Sequence, residues 1–337
     1  MNSRAKASIR YGISVLLMLV FLYFTFRGSD WAGMYASMKE ADYWWILLMF
    51  ACLVVSHIVR AWRGRYLLEP IKRDIGMRNL VSSVMVGYMV NNVLPRAGEL
   101  VRPYALGKLE NIPKSAVFGT IVVERIIDTF AFLVLVAMMP LLYNGPLREA
   151  FPWLDNARFV ISVVTFGFVL VIIVFVIRRD WTDAMIRLAA RVLPRRAAGL
   201  VEKLAHSFLD GFLFFKHPRN LALILAQSVV IWLLYIGMVY TAFFAFGLNL
   251  DFNAAIIIQA ISSIGVAMPT PGGTGSYHMF TSQALSKLFG VSNDVALSYA
   301  TVTHAVGFIG IMIIGLYYFF KDHIKVSEAV TKGVDEQ

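Results

Sequence analysis

Six ionisable side chains stand where a very apolar sequence leaves little room for charge. Arg96, Glu99 and Arg102 fall in one stretch; Glu124, Arg125 and Asp128 fall in the next. Glu99 and Arg102 are three apart and share a helical face. Glu124 and Asp128 are four apart, with Arg125 three before Asp128. One unpaired charge at bilayer depth costs at least about 2.5–3.5 kcal/mol. The six are therefore expected to face inward and pair, three positive against three negative. Two kinds of chemistry fit such a set. One is a structural ion-pair network, which carries even weight for the carboxylates. The other is an anion site, because the planar fork of arginine matches phosphate oxygens. Arg96 and Arg102 flank Gly98 at a helix break, which favours function for them.

A weaker echo of that break lies downstream at Pro271, Gly272, Gly273, Thr274 and Gly275. Glycines there let backbone approach a ligand, and the free N–H groups of a new half-helix favour an anion. Gly and Pro also serve plain helix packing in membranes. His278 and His304 lie in apolar surroundings nearby. A buried histidine is more often a hydrogen-bonded structural group than a proton carrier. Asn91 and Asn92 are expected to satisfy backbone groups freed at the first break. No Cys/His/carboxylate cluster has metal-ligand spacing. No Gly-x-Ser-x-Gly, phosphate-loop or dinucleotide fingerprint occurs. No metal, cofactor or catalytic residue is expected.

The elements that must position these residues follow from composition. Of 337 residues, 58% are hydrophobic and 15% charged, and mean hydropathy is +0.68. This is the composition of a polytopic all-α membrane protein. The net charge of +10 sits in short loops, as the positive-inside rule requires, so nucleic acid is not expected as a partner. Cys52 is the single cysteine, which excludes an intrachain disulfide. Arg4, Lys6 and Arg10 precede a long uncharged run without a cleavage site, read as a retained first helix. Further spans are expected at 43–59, 115–143, 159–177, 221–246 and 295–320. A basic rim of Arg60, Arg63, Arg65, Lys72, Arg73 and Arg78 follows the second span. Segment 180–218 reads as a basic amphipathic pair of helices on the cytoplasmic face. Residues 252–286 carry no charge. As continuous helix they would reach roughly 50 Å, too long for one crossing.

If both interrupted segments are re-entrant hairpins, about six full spans remain. Basic residues then favour one side by roughly five to one, with both termini cytoplasmic. Seven or eight spans remain open if the second segment crosses. The expectation is one integral membrane domain, 1–337, in the bacterial cytoplasmic membrane. It holds inverted repeats at about 43–143 and 221–320. Such repeats place a site near the midplane, where the half-helix tips meet.

Three motifs carry a resemblance. They are Asn91, Leu94, Pro95, Gly98, Glu99 and Arg102; then Glu124, Arg125 and Asp128; then Pro269, Pro271, Gly272, Gly273 and Gly275. Over about residues 5–325 the chain resembles the flippase-like integral membrane family named for the transmembrane region of lysylphosphatidylglycerol synthase. The resemblance implies a membrane domain that moves aminoacylated phosphatidylglycerol, or another lipid, between leaflets. It makes Glu99, Arg102, Glu124, Arg125 and Asp128 lipid-site candidates. The sequence departs from the family at His278, where many members carry Glu; this bears on that half-site and on a cationic headgroup. The synthases add a soluble aminoacyl-transferase domain, whereas about 17 residues follow Phe320 here, so this chain is not expected to make the lipid. The leading expectation is a translocase, not an enzyme. It would move an anionic phospholipid or a polyprenyl-phosphate-linked lipid, its headgroup held by Arg96, Arg102, Arg125 and the glycine-rich tip. The alternatives are a membrane transferase using Glu99, Glu124 or Asp128 as base, or a partner of a separately encoded lipid-modifying transferase.

Overall fold

A computed structural model describes residues 3–143, 145 and 218–324. All regular structure among them is helical. The first helix, α1 (Ser3–Phe26), turns through 91° into α2 (Trp31–Glu40). Asp30 caps α2 by accepting from the Ala32 N–H, and Asp42 caps α3 (Tyr43–Leu68) by accepting from the Trp44 N–H. These carboxylates satisfy amides that a helix start leaves without partners. Next come α4 (Met77–Val93), α5 (Gly98–Glu110) and α6 (Lys114–Leu142). After the undescribed stretch follow α7 (Pro218–Ala245), α8 (Phe252–Ala267), a 3-10 turn (Pro271–Gly273), α9 (Ser276–Phe289) and α10 (Asn293–Lys321). The expected span at 159–177 and the amphipathic segment at 180–218 lie outside the described residues.

Among the described residues, α3, α7 and α10 are each long and apolar enough to cross a membrane, and the bent α1/α2 pair makes a fourth candidate. The legs on either side of each interruption are shorter. With 17, 13, 16 and 14 residues in α4, α5, α8 and α9, each falls short of a hydrocarbon core of about 30 Å. Each pair of legs folds back on itself. In the first, Asn91 meets Gly98, Gly87 meets Arg102, and Asn79 meets Glu110. In the second, Gly265 meets Ser276 and Ser262 meets Thr281. Both are antiparallel helical hairpins.

The reason for each break is local. Pro95 lacks the N–H that would continue α4, and Arg96 takes a left-handed φ of 64°. Asn91 Oδ1 accepts the freed Gly98 N–H at 2.7 Å, and Asn92 Nδ2 donates to the Phe308 carbonyl at 3.3 Å. At the second break Gly272, Gly273 and Gly275 all have positive φ, and Ser276 Oγ donates to the Gly265 carbonyl at 2.7 Å.

The packing is reciprocal. The α4 leg lies on α10 and the α8 leg lies on α6; α3 runs along α7. The hairpin tips touch, with Gly272 so close to Asn92 and the Phe308 ring that a Cβ would stand 2.7 Å from that ring. The largest apolar cluster joins α3, α6, α7, α8, α9 and α10 through residues such as Met49, Met139, Phe243, Ile257, Leu285 and Tyr299. Outward, Leu16, Leu47, Val229, Leu233, Ile309 and Ile313 are exposed, and Trp31, Tyr35, Tyr43 and Trp44 are exposed around the starts of α2 and α3. An apolar girth with aromatic rings at one level is what a lipid environment selects.

Candidate functional site

The charged site is assembled by four helices. On α3, His57, Arg60, Ala61, Arg63, Gly64 and Leu67 are buried, whereas Ile58, Trp62 and Arg65 are exposed. The buried set recurs at three and four residues, one face of a helix. That face turns toward α5, α6 and α7. Gly64 lies beside the network, where an added Cβ would sit in ordinary contact with it, 3.4 Å from Glu124 and 3.6 Å from Arg102.

Glu124 and Asp128 on α6 accept hydrogen bonds from different arginines, although Arg60 and Arg63 also stand 3.9 and 4.0 Å from Glu124. Arg102 of α5 grips Glu124 with both ends of its fork, at 2.6 and 2.8 Å. Asp128 receives Arg60 at 2.5 Å on one oxygen and Arg63 at 2.8 Å on the other. Arg63 also donates to Ser228 at 2.9 Å and Arg60 to the Tyr235 hydroxyl at 3.1 Å, both on α7. The Arg60 guanidinium lies over the Tyr88 ring, which stacks on His57 at 4.3 Å between centroids. Arg60, Arg63, Arg102, Glu124 and Asp128 are all at most 9% exposed. Arg125 faces Glu99 at 3.1 Å across a half-exposed edge.

Several pairings differ from those expected. Glu99 pairs with Arg125, not with Arg102 three residues away. Arg102 pairs with Glu124, and Asp128 pairs with Arg60 and Arg63, not with Arg125. Arg96 is exposed at the tip and makes none of the ion pairs among the described residues, so it is neither inward-facing nor part of the cluster. Its left-handed backbone carries the turn instead. Arg60 and Arg63 belong to the site, not to a surface rim. The expected end of the second span at residue 59 is two turns early, because α3 continues to Leu68. The 57, 60, 63/64, 67 spacing was the sequence signal for this.

With Arg60 and Arg63 included and Arg96 removed, four arginines face three carboxylates, and the balance becomes one surplus positive charge. The forks of Arg60, Arg63 and Arg102 are engaged with carboxylates. Arg60 Nε, Arg63 Nε, Arg63 Nη2 and Arg102 Nε remain buried with no hydrogen-bond partner, as does His57 Nδ1. Buried charged donors left over in this way are costly unless something accepts from them.

Gly98 sits beside this network for steric reasons: a Cβ would stand 1.9 Å from the Gly87 carbonyl oxygen. The legs therefore touch backbone to backbone where Arg102 leaves α5. The second hairpin brings together Gly272, Gly273, Gly275, His278 and His304, but in neutral surroundings. His278 Nδ1 accepts from the Gly275 N–H at 3.2 Å, His304 Nε2 donates to the Gly272 carbonyl at 3.0 Å, and the two rings are 4.7 Å apart. Gly275 packs under Met18 and Phe21 of α1. The two hairpins meet at Asn92 and Gly272, while Arg102 pairs in register with Gly87, more than a turn below that tip.

Comparison with known proteins places the chain among membrane proteins. The family model described as the lysylphosphatidylglycerol synthase TM region matches residues 11–315. A protein of Methanothermobacter thermautotrophicus named UPF0104 membrane protein is 24% identical over 302 residues, 83% of this chain and 86% of that protein. A UPF0104 membrane protein of Methanocaldococcus jannaschii is 33% identical over 92 residues, 26% of this chain and 27% of that one. A Haloferax volcanii protein named glycosyltransferase AglD is 25% identical over 284 residues, 75% of this chain but 45% of that protein. No solved structure matches.

Proposed function

This chain belongs to the membrane family of the lysylphosphatidylglycerol synthase TM region, and from that premise we propose that it is a lipid translocase. The substrate is a lipid with an anionic phosphate, either a phospholipid or a polyprenyl-phosphate-linked molecule. The observation that carries this reading is the buried arginine cluster with one surplus charge, in which four guanidinium nitrogens of Arg60, Arg63 and Arg102 have no hydrogen-bond partner. The headgroup phosphate accepts from those groups while the acyl chains stay in the bilayer. Glu124 and Asp128 hold the arginines in place when the headgroup leaves, so no bare cluster of like charge is ever buried.

The reciprocal packing supports a way to move. The unit α3 to α6 and the unit α7 to α10 each contribute a hairpin whose first leg lies on the other unit's last helix. This packing supports a reading as inverted repeats, for which we propose six full spans and two re-entrant hairpins. Rocking of one unit against the other, about the tip contact of Asn92 with Gly272, would expose the site to each leaflet in turn. No covalent chemistry is required, and the chain works as a carrier in the cytoplasmic membrane with both termini inside.

The match to a glycosyltransferase favours a second reading: this chain is the membrane partner of a separately encoded lipid-modifying transferase and presents the lipid to it. The two readings separate in proteoliposomes of purified protein with fluorescent phosphatidylglycerol, followed by dithionite quenching. Flipping by wild type, lost in Arg102→Ala and unchanged in Arg96→Gly, supports the translocase. Equal rates for wild type and Arg102→Ala reject it.

A further inference from the structure

We propose that His278 is a proton-binding site and that a proton on its Nδ1 opens the tip of the second hairpin. The proposal rests on the translocase reading and gives it an ion to couple to. It follows from what each ring nitrogen must do. His278 is the third residue of α9, and its Nδ1 accepts from the buried Gly275 N–H at 3.2 Å. Glu or Gln commonly takes this place and closes a helix start onto the capping amide. An N–H only donates, so Nδ1 is bare and the proton of neutral His278 lies on Nε2. His304 is the converse. The Gly272 carbonyl only accepts, so His304 Nε2 carries its proton. A second proton on His304 leaves that bond in place. A second proton on His278 sets ring N–H against Gly275 N–H, and the bond is lost. His278 is therefore the ring whose charge the turn senses.

The surroundings do not offset a charge on the closed tip. The Tyr277 hydroxyl is bonded to Thr303, and the two imidazoles face each other. α8 has no titratable residue. α1 meets the tip with Met18, Phe21, Leu22 and Phe26, and its Tyr23 is exposed. On α10, Tyr299 donates to the Val239 carbonyl, and Asp294 lies about three turns before His304. Lys287 stands at the other end of α9. Across the tip, Arg96 is exposed, and Tyr88 of α4 stacks on His57. Among the described residues no carboxylate pairs with either histidine. The positive end of α9 also opposes a cation at its third residue. An imidazolium is accommodated only where water reaches it, with the tip open.

The turn that the two histidines bracket is where the two hairpins touch. Gly272, held by His304, lies against Asn92 and Phe308. Gly275, held by His278, sits so close under α1 that a Cβ would stand 2.8 Å from the Met18 carbonyl oxygen. Gly272, Gly273 and Gly275 all have positive φ, in a turn that glycine leaves free to rearrange. Loss of the Gly275 bond releases one end of this turn, and with it the contact of Gly272 with Asn92 about which the units rock. The proton comes from water, occupies the Nδ1 lone pair while the tip is open, and returns to water when the bond to Gly275 re-forms.

The test reads tip opening directly in the full chain. Thr274, partly exposed in the turn, is replaced by Cys in a Cys52→Ser background. Its alkylation by N-ethylmaleimide is followed in proteoliposomes from about pH 7.5 to about pH 5.5, where histidine changes charge. Each rate is divided by that of the same chain carrying His278→Gln, which accepts from the Gly275 amide without titrating. The division cancels the pH dependence of the thiol. The ratio is expected to rise at least about fivefold on acidification, within the tenfold per pH unit that one linked proton allows. His278→Glu accepts through a carboxyl oxygen in either charge state, so acid should not raise its ratio; it replaces His278→Gln as the reference if that variant does not fold. His304→Gln, with His278 intact, should keep the rise. A flat ratio overturns the proposal, and so does a rise that His304→Gln abolishes. If fluorescent phosphatidylglycerol flips while the ratio stays flat, the proton site fails and the translocase stands. If the ratio rises in a protein that flips no lipid, the translocase reading fails and the proton site stands.

Discussion

The two interrupted hairpins share one plan and are filled in opposite ways. Both turn at a Pro/Gly break, both return antiparallel, and both let a hydroxyl or amide side chain take up backbone groups freed by the turn. The first hairpin then sends Arg102 into a buried ionic cluster. The second buries only neutral groups in its polar contacts: Ser262 meets Thr281, Thr270 meets Ser276, Tyr277 meets Thr303, and His278 and His304 meet backbone. A polar network closed by neutral partners is complete in itself. One that leaves charged donors over asks for something more. On the proposed function, this difference puts binding at the first hairpin and closure of the tip at the second.

The sharpest way to break this comparison is through the glycines. Gly98→Ala drives a methyl to within 1.9 Å of a backbone oxygen, so the first hairpin cannot close and folded protein is expected to be lost in size-exclusion chromatography. Gly273→Ala meets its nearest neighbour at 3.3 Å with φ of 75°. It should cost only about 1–2 kcal/mol, the price of a left-handed alanine. Equal yields for the two variants would show that the hairpins are held by the same contacts. Next comes charge. Asp128→Ala leaves Arg60 and Arg63 only their longer ion pairs with Glu124, at 3.9 and 4.0 Å, with an expected loss of about 3–5 kcal/mol in thermal unfolding in detergent. His278→Ala leaves one amide without an acceptor, about 1–3 kcal/mol. A larger effect at His278 would reverse the assignment of roles.

The smallest effect lies at the open end of the first hairpin, outside the spans. Burial raises the Glu110 carboxyl. Lys72 and Asn79, with the Gly76 amide, outweigh that and hold it below its ordinary value of 4.5. A depressed folded value means stability present in full above the ordinary value and lost as pH falls through the lower one. Because Lys72 is partly exposed, the contribution should stay under about 1 kcal/mol. Glu110→Gln should therefore flatten the acid limb of the stability profile below about pH 4.5 and leave the neutral region little changed. An unchanged acid limb would remove Glu110 from the account of this hairpin.

Much of the frame was legible in the sequence. Uncharged runs marked α3, α7 and α10. Pro95 and Pro271 marked the turns; Asn91 was expected to satisfy freed backbone and does so, whereas Asn92 donates instead to a carbonyl inside α10. Glu124 and Asp128 were expected inside and are buried. Arg60 and Arg63 escaped because they close a hydrophobic run beside Arg65, Lys72 and Arg73, where a count of charge sees only a rim. Arg96 was misplaced for the converse reason: nearness to the break suggested the pocket, yet its own left-handed turn carries it to the surface.

The sequence by itself determined a helical membrane protein with two interruptions, because hydrophobic length and the missing N–H of proline act within a turn or two of chain. Which charge meets which was decided by tertiary structure alone. Arg60 and Asp128 lie 68 residues apart, and Arg63 and Ser228 lie 165 apart. Any arginine in reach would have satisfied either carboxylate equally. Only the packing of α3 against α5, α6 and α7 fixed the distances that chose among them, and with them the one charge left over.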